Sequence, residues 1–258
     1  MSKKVMYGEQ RKQQILGLIK EKKSASVNEL AQYFDVTTAT IRTDLTELEK
    51  AGEVIRTHGG AILKSDIAHE QFLNERENED KKIKVAFKAL DLIEEDDSIL
   101  IDTGTSTAAF ARILANSDIS RLRIFTNDFE IAKLLEGKSE FDVHILGGRV
   151  RKGFHYSYGG TAISELRKYK FDKLVLATSS LSFDKGLTTY HTETADLKVE
   201  MINSASNKIL LLDSTKINKD SFAQFADLKE IDTVVVDNEI SKFDYQNLSE
   251  SIDNVIIA

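Results

Sequence analysis

The chain has 258 residues, enough for two domains, and 41% of them are apolar, so a packed core is expected rather than disorder. It has no Cys, which excludes disulfides and thiolate metal sites. Its net charge of −7 is unevenly split: residues 1–64 carry 11 Lys/Arg against 8 Asp/Glu, and the other 194 carry 24 against 34. A mildly basic head on an acidic body points to a polyanionic partner for the head alone.

Pro and Trp are also absent, so turns rest on Gly, Asn, Asp and Ser. No apolar run of about 7–15 residues follows the first lysines, and none approaches the roughly 20 residues of a membrane span. The expectation is a cytoplasmic protein with no membrane partner. The five histidines, His58, His69, His144, His155 and His191, lack zinc-binding spacing, and neither a metal nor a cofactor is expected.

Ile15, Leu16 and Ile19 mark one face of a helix from about residue 9 to 22. Ser26-Val27-Asn28-Glu29 reads as a capping box that opens a second helix carrying Leu30, Ala31 and Phe34. That helix stops near Asp35-Val36. Thr37 or Thr38 then caps a third, with Ile41, Leu45 and Leu48 on its apolar face and Gly52 just past its end. Residues 53–62 read as two short strands around Gly59-Gly60, a wing. A short helix, a tight turn and a third helix make a helix-turn-helix, whose third helix offers its N-terminal residues to the major groove. Thr38, Ala39, Thr40, Arg42 and Thr43 lie off the apolar face and carry groups that read base edges and phosphates; Arg56 and His58 on the wing are candidates for backbone or minor-groove contact. A three-helix bundle with a solvated polar face would share this pattern.

Residues 64–82 are polar and charged, a linker running into a helix with Ile83, Phe87 and Leu90 as its apolar face. Acidic pairs at 94–97 read as a solvated helix end. From Ser98, short apolar runs near 98–102, 123–126, 142–146, 173–178, 208–213, 233–237 and 254–258 alternate with helical stretches near 106–115, 128–136, 161–169 and 192–206. Such alternation predicts a Rossmann-like α/β domain with a largely parallel sheet, whose ligands lie at the carboxyl ends of the strands. The loops to search are therefore Asp102 to Thr107, Thr126-Asn127-Asp128, the cationic turn at 146–153, Gly186 to Thr189, and Asp213 to Lys216. Small residues, hydroxyls and helix-start amides suit an anion. Each loop alone is a weak signal. Together, Asp102, Gly104, Thr105, Ser106, Thr107, Thr126, Asn127, Gly148, Arg151 and Lys216 suit an anionic, hydroxyl-rich ligand such as a phosphorylated sugar.

The run from Arg11 to Leu16, Val27 to Ala31, Thr40 to Glu49 and Thr57-His58-Gly59-Gly60-Ala61 resembles the N-terminal domain of DeoR-family repressors. The motifs Asp102 to Thr107, Thr126-Asn127, Leu146 to Arg151, Gly186 to Thr189 and Asp213 to Lys216 extend the resemblance through the rest of the chain. It implies an effector domain similar to ribose-5-phosphate isomerase, with phosphate around Gly104 to Thr107, sugar contacts near Asp102 and Lys216 as an anion ligand. Two departures stand out. Where the family has two adjacent arginines this chain has Arg42-Thr43, and where an acidic residue is usual it has Ala177-Thr178-Ser179-Ser180. The Ser usual after the Leu-Gly-Gly-x-x-Arg motif falls on Tyr156, or on Ser157 with one insertion.

The organisation expected is a winged helix-turn-helix over 1–62, a linker over 63–82 and an effector domain over 83–258. The function expected is a repressor, not an enzyme, that binds double-stranded operator DNA as a dimer or tetramer and answers to a phosphorylated sugar. A sugar-phosphate isomerase with a DNA-binding appendage, and an interaction module that binds no ligand, are the competing readings.

Overall fold

The computed structural model describes residues 8–22, 24–56, 60–63 and 78–258. The chain divides into two compact units, 1–77 and 78–258, a few residues before the expected boundary at 83.

In the first unit, α1 (Gly8–Lys22) and β1 (Ser24–Ser26) precede α2 (Val27–Phe34), α3 (Thr38–Lys50), β2 (Val54–Arg56) and β3 (Gly60–Leu63). Ser26 and Glu29 form the expected capping box, with reciprocal bonds of 3.1 and 2.9 Å. Asp35 turns left-handed at φ 53° and ends α2, so α3 starts only three residues later. Thr37, not Thr38, is the cap of α3; it accepts the Thr40 amide at 3.2 Å. Gly52, at φ 79°, ends α3 in the left-handed conformation that glycine adopts freely. Ile15, Ile19, Leu30, Ile41 and Leu45 are almost fully buried and lock the three helices together. The wing has one strand more than expected. β3 lies between β2 and β1, so the extended residues ahead of α2 complete a three-stranded antiparallel sheet. Three residues are too few to show a strand's period of two, which hid β1 from the sequence.

The second unit runs α4 (Glu79–Leu90), β4 (Ser98–Ile101), α5 (Thr105–Ala115), β5 (Arg123–Thr126), α6 (Phe129–Leu135), β6 (Asp142–Ile145), β7 (Arg149–Arg151), β8 (Tyr156–Tyr158), α7 (Gly160–Leu166), β9 (Phe171–Ala177), β10 (Ser180–Ser182), β11 (Gly186–Thr189), α8 (Thr192–Ser204), β12 (Ala205–Leu212), β13 (Ala223–Ala226), β14 (Thr233–Val236), α9 (Lys242–Ser251) and β15 (Asn254–Ile257). Seven strands form one parallel sheet in the order β15-β14-β12-β9-β4-β5-β6. Side chains alternate between two apolar layers. Ile99, Ile101, Ile124, Val175 and Val235 pack against α4, α5 and α6, and Leu100, Phe125, Leu174, Leu176 and Val234 against α7, α8 and α9. Burial on both faces explains why these strands read as unbroken apolar runs.

Four expectations are corrected. Gly186 to Thr189 is strand β11, paired with β10 and β13 in a small antiparallel sheet, not a loop. The cationic turn at 146–153 holds strand β7, paired with β8 as a hairpin. In α4 the buried face is Lys82, Val85, Ala86 and Ala89, while Ile83 and Phe87 are exposed. The acidic run at 94–97 is not merely solvated: Arg121 pairs with Glu95 and Asp96, and buried Asp97 meets Lys173 at 2.7 Å.

Two glycines give opposite predictions. A Cβ on Gly60 would overlap the Ala25 carbonyl oxygen across β1 and β3, whereas one on Gly17 in α1 meets open space. Gly60→Ala is expected to destabilise the first unit by about 1–3 kcal/mol through overpacking. Gly17→Ala is expected to stabilise it by roughly 0.5–1 kcal/mol through helix propensity. Thermal unfolding of the two variants checks the signs.

Candidate functional site

On α3, Arg42 is solvent-exposed, and its guanidinium makes no hydrogen bond or ion pair among the described residues. Ala39 and Thr43 are exposed beside it, and Thr38 and Thr40 are half-buried. Thr43 donates its hydroxyl to the Ala39 carbonyl at 3.1 Å, so only its lone pairs remain to accept. Thr40 shares a hydrogen bond of 2.9 Å with Thr37. The acids of α3 are neutralised from α1: Arg11 grips buried Asp44 with two bonds of 2.6 and 3.0 Å, and Lys12 reaches Glu47 at 2.6 Å. The bond to Glu47 is the main cause that raises the Lys12 pKa and keeps its charge fixed. Arg56 leans from the wing onto α3, where it donates to Thr46 at 2.9 Å while its amide bonds Glu49. Of the wing candidates, His58 lies outside the described residues. The exposed N-terminal half of α3 is thus left with Arg42 as its unpaired cation among the described residues, and its acids are screened.

In the second unit the chain leaves β4 for β5 and β6 on one side, then returns to β9 on the other side of β4. The carboxyl ends of β4 and β9 are therefore a topological switch point, where connections diverge and a crevice opens. Asp102 follows β4 and Asn127 follows β5, side by side because Ile101 pairs with Thr126. Their parity in the strands points both toward the α8 layer. Lys198 of α8 ion-pairs with Asp102 and donates to the Ala177 carbonyl at 2.8 Å, and the Ala177 amide donates back to Asp102 at 3.1 Å. Both partners are buried. Burial pushes the Asp102 carboxyl up, against the pull of Lys198.

The β7–β8 hairpin closes the circuit. Asn127 donates its side-chain amide to the Ser157 carbonyl at 2.9 Å, and the Ser157 amide donates to the Asn127 carbonyl at 2.8 Å. Tyr156 bonds Arg151 and shares a hydrogen bond of 3.2 Å with Thr194, one turn ahead of Lys198 on α8. Asp102, Asn127, Tyr156, Thr194 and Lys198 so form a ring of polar groups around the switch point. Gly104 brings the start of α5 against it, since a Cβ there would crowd that of Ala177 at 2.9 Å. Thr107 turns its hydroxyl to the Gly104 carbonyl at 2.9 Å. Thr105 and Ser106 carry first-turn amides that no helical carbonyl can satisfy.

Other candidates have different surroundings. Thr126 is buried and accepts the Asp128 amide at 3.1 Å; Asp128 in turn caps α6 and accepts the Thr103 hydroxyl at 2.6 Å. A Cβ on Gly148 would strike the Tyr158 carbonyl, so Gly148 permits close packing of the hairpin. Lys216 stands apart: its turn is tied to β14 and α4, where Ser214 bonds Asp237 and Lys81. Sequence reasoning missed Lys198 and Thr194, and met Tyr156 only as the position where the resemblance leads one to expect Ser. One signal was present, a lone lysine on the stripe Thr194, Ala195, Lys198, Met201, Ile202, whose other members are buried.

Among the described residues no group of His, Cys, Asp and Glu could hold a metal ion, and no helix is long and apolar enough to cross a membrane. The architecture is that of a winged helix-turn-helix and a parallel α/β unit with a cluster of buried polar side chains at its switch point. The model of the DeoR-like helix-turn-helix domain matches residues 11–66, and that of the DeoR C terminal sensor domain matches residues 77–238. The chain is 32% identical over 234 residues to the HTH-type transcriptional repressor GlcR of Bacillus subtilis, covering 90% of this chain and 89% of that one. It is 29% identical over 248 residues to the lactose phosphotransferase system repressor of Lactococcus lactis, covering 95% and 97%. It is also similar to the solved ribose 5-phosphate isomerase A of Methanocaldococcus jannaschii, with TM-score 0.40 and 20% identity over 54% of this chain and 55% of that one. The chain belongs to the DeoR family and is a regulator rather than an enzyme.

His191, at the start of α8, has its pKa lowered by burial and then by the charges of Arg151 and Arg149. Protonation therefore favours the unfolded chain, and stability falls as pH drops below the ordinary histidine value of 6.5. Between about pH 7.5 and 5.5 the melting temperature of the wild type is expected to fall more than that of His191→Gln. Parallel curves would contradict the assignment.

Proposed function

We propose that this protein is a transcriptional repressor of a sugar-metabolism operon, whose affinity for its operator is modulated by a phosphorylated sugar bound to the second unit. The observation that carries the DNA half is the exposed, unpaired Arg42 at the N-terminal half of α3, where a recognition helix meets base edges. Thr38, Ala39, Thr40 and Thr43 flank it, and Arg56 and His58 supply backbone or minor-groove contacts from the wing. The repressor names of the relatives agree with this reading.

The ligand half rests on the ring at the switch point. The first-turn amides of Thr105, Ser106 and Thr107, which follow Gly104, bind the phosphate, and Arg151 adds a cation. Asp102 and Asn127 face the sugar, while Thr126, buried on the other face of the sheet, supports the turn through its bond to the Asp128 amide. Gly148 holds the hairpin close, and Lys216 lies outside the ring. The DNA-binding domain runs from 1 to 62, and the effector domain, which takes in the whole of α4, from 78 to 258. A two-fold operator calls for a dimer or a pair of dimers, with recognition helices about 34–36 Å apart. Coupling requires that the sugar phosphate favour one of two states of the protein.

Arg42→Ala is expected to weaken operator binding by roughly 10- to 100-fold, the range of one lost bidentate contact, and to leave ligand affinity unchanged. Arg151→Ala is expected to do the reverse and give a repressor that ignores the sugar phosphate. Gel-shift titrations at several salt concentrations, with calorimetry of the ligand, measure both. Equal effects of each variant on both activities would contradict the division of labour.

A further inference from the structure

Two side-chain atoms among the described residues are buried without any hydrogen-bond partner: Asp102 Oδ1 and Asn127 Oδ1. The residues are 1% and 0% exposed. They are not scattered. They sit side by side at the ends of β4 and β5, on one face of the sheet and within the ring at the switch point. Leaving a buried acceptor unpaired is costly, and two together mark a place where a ligand completes the bonding.

Both atoms are acceptors. The Asn127 amide already donates to the Ser157 carbonyl, which leaves its carbonyl oxygen as the free end. Asp102 receives Lys198 and the Ala177 amide on Oδ2 alone. Lys198 itself is engaged by Asp102 and the Ala177 carbonyl, with the Phe225 ring 5.2 Å from its ammonium. This wall offers lone pairs and a negative charge. It seeks hydroxyl protons and repels a carboxylate.

We propose that Asp102 and Asn127 select the end of the ligand remote from its phosphate, accepting a pair of hydroxyl groups and rejecting a carboxylate. The effector is then a phosphorylated polyol or neutral sugar, and phosphorylated sugar acids are excluded. This rests on the reading of the second unit as a phosphorylated-sugar sensor. Lys198 acts as a positioning residue: it holds Asp102 by Oδ2 and leaves Oδ1 unpaired. A hydroxyl donating to an ionised carboxylate makes a strong, charge-assisted bond, whereas a ligand carboxylate would leave both acceptors unpaired and add like-charge repulsion.

The test is calorimetry on the full chain with matched pairs: glucitol 6-phosphate and glucose 6-phosphate against 6-phosphogluconate, and glycerol 3-phosphate against 3-phosphoglycerate. Inorganic phosphate is the reference. The neutral member of at least one pair is expected to bind roughly tenfold or more tightly than its acid, the size of effect that unpaired buried groups produce. Asp102→Asn is expected to shrink or invert that preference, because the new amide can donate to a carboxylate. Should Asp102→Asn fail to fold, Asn127→Ala carries the test, lowering affinity for the neutral member only. Equal or tighter binding of the acids by wild type would overturn the inference and leave the sugar-phosphate reading standing. If inorganic phosphate and every phosphorylated compound fail to bind, that reading falls and takes this inference with it.

Discussion

The second unit is organised around one buried ion pair, Lys198 with Asp102. Neither group would be buried alone, because an unpaired charge in the interior costs several kcal/mol. The pair joins the end of β4 to the middle of α8, and the Ala177 carbonyl and amide fasten it to β9. It thus spans the one place in the sheet where neighbouring strands come from opposite directions of winding. A hydrophobic pair would pack there equally well, but it would not hold a carboxylate at a fixed point in a crevice. The polar pair contributes a fixed position more than stability.

The first unit faces a different electrostatic problem. Its recognition helix must approach a polyanion yet carries Asp44, Glu47 and Glu49. The solution is local. Arg11 and Lys12 come from the adjacent helix, and the Arg56 amide donates a bond to Glu49. The charges of Arg11 and Lys12 are therefore committed inside the fold. This explains why net charge was a weak guide to DNA binding and why one exposed arginine carries so much of the proposed contact.

Long periodic elements were legible in the sequence. The three helices of the head, their caps at Ser26 and Gly52, and the strands of the parallel sheet follow from periodicity and burial on two faces. The elements that were hidden are short or lack a pattern: β1, the β7–β8 hairpin, and β10, β11 and β13, of three or four residues each. Helix α9 was also missed, since Leu248 is its one buried residue and gives no apolar stripe. For the site, strand-end loops located Asp102 and Asn127 correctly relative to the sheet. Lys198, Tyr156 and Thr194 come from a helix and a hairpin 29 or more residues from Asn127 in sequence, and only tertiary folding brings them near.

The loop after β9 is held by its own hydroxyls. Thr178 and Ser179 follow Ala177. The Thr178 hydroxyl is spent on the Ser180 and Thr188 carbonyls, at 2.8 and 3.1 Å, and Ser179 meets Thr189 at 3.4 Å. These bonds fasten the loop to β11. The carboxylates that remain are committed as well, Asp102 to Lys198 and Asp128 to the start of α6 and to Thr103. Proton abstraction needs a base free to move its proton to and from the ligand. Here each carboxylate is bound into the frame. The same bonds that withhold a mobile base hold the side chains of the proposed site in place, an arrangement that favours holding a ligand over converting it.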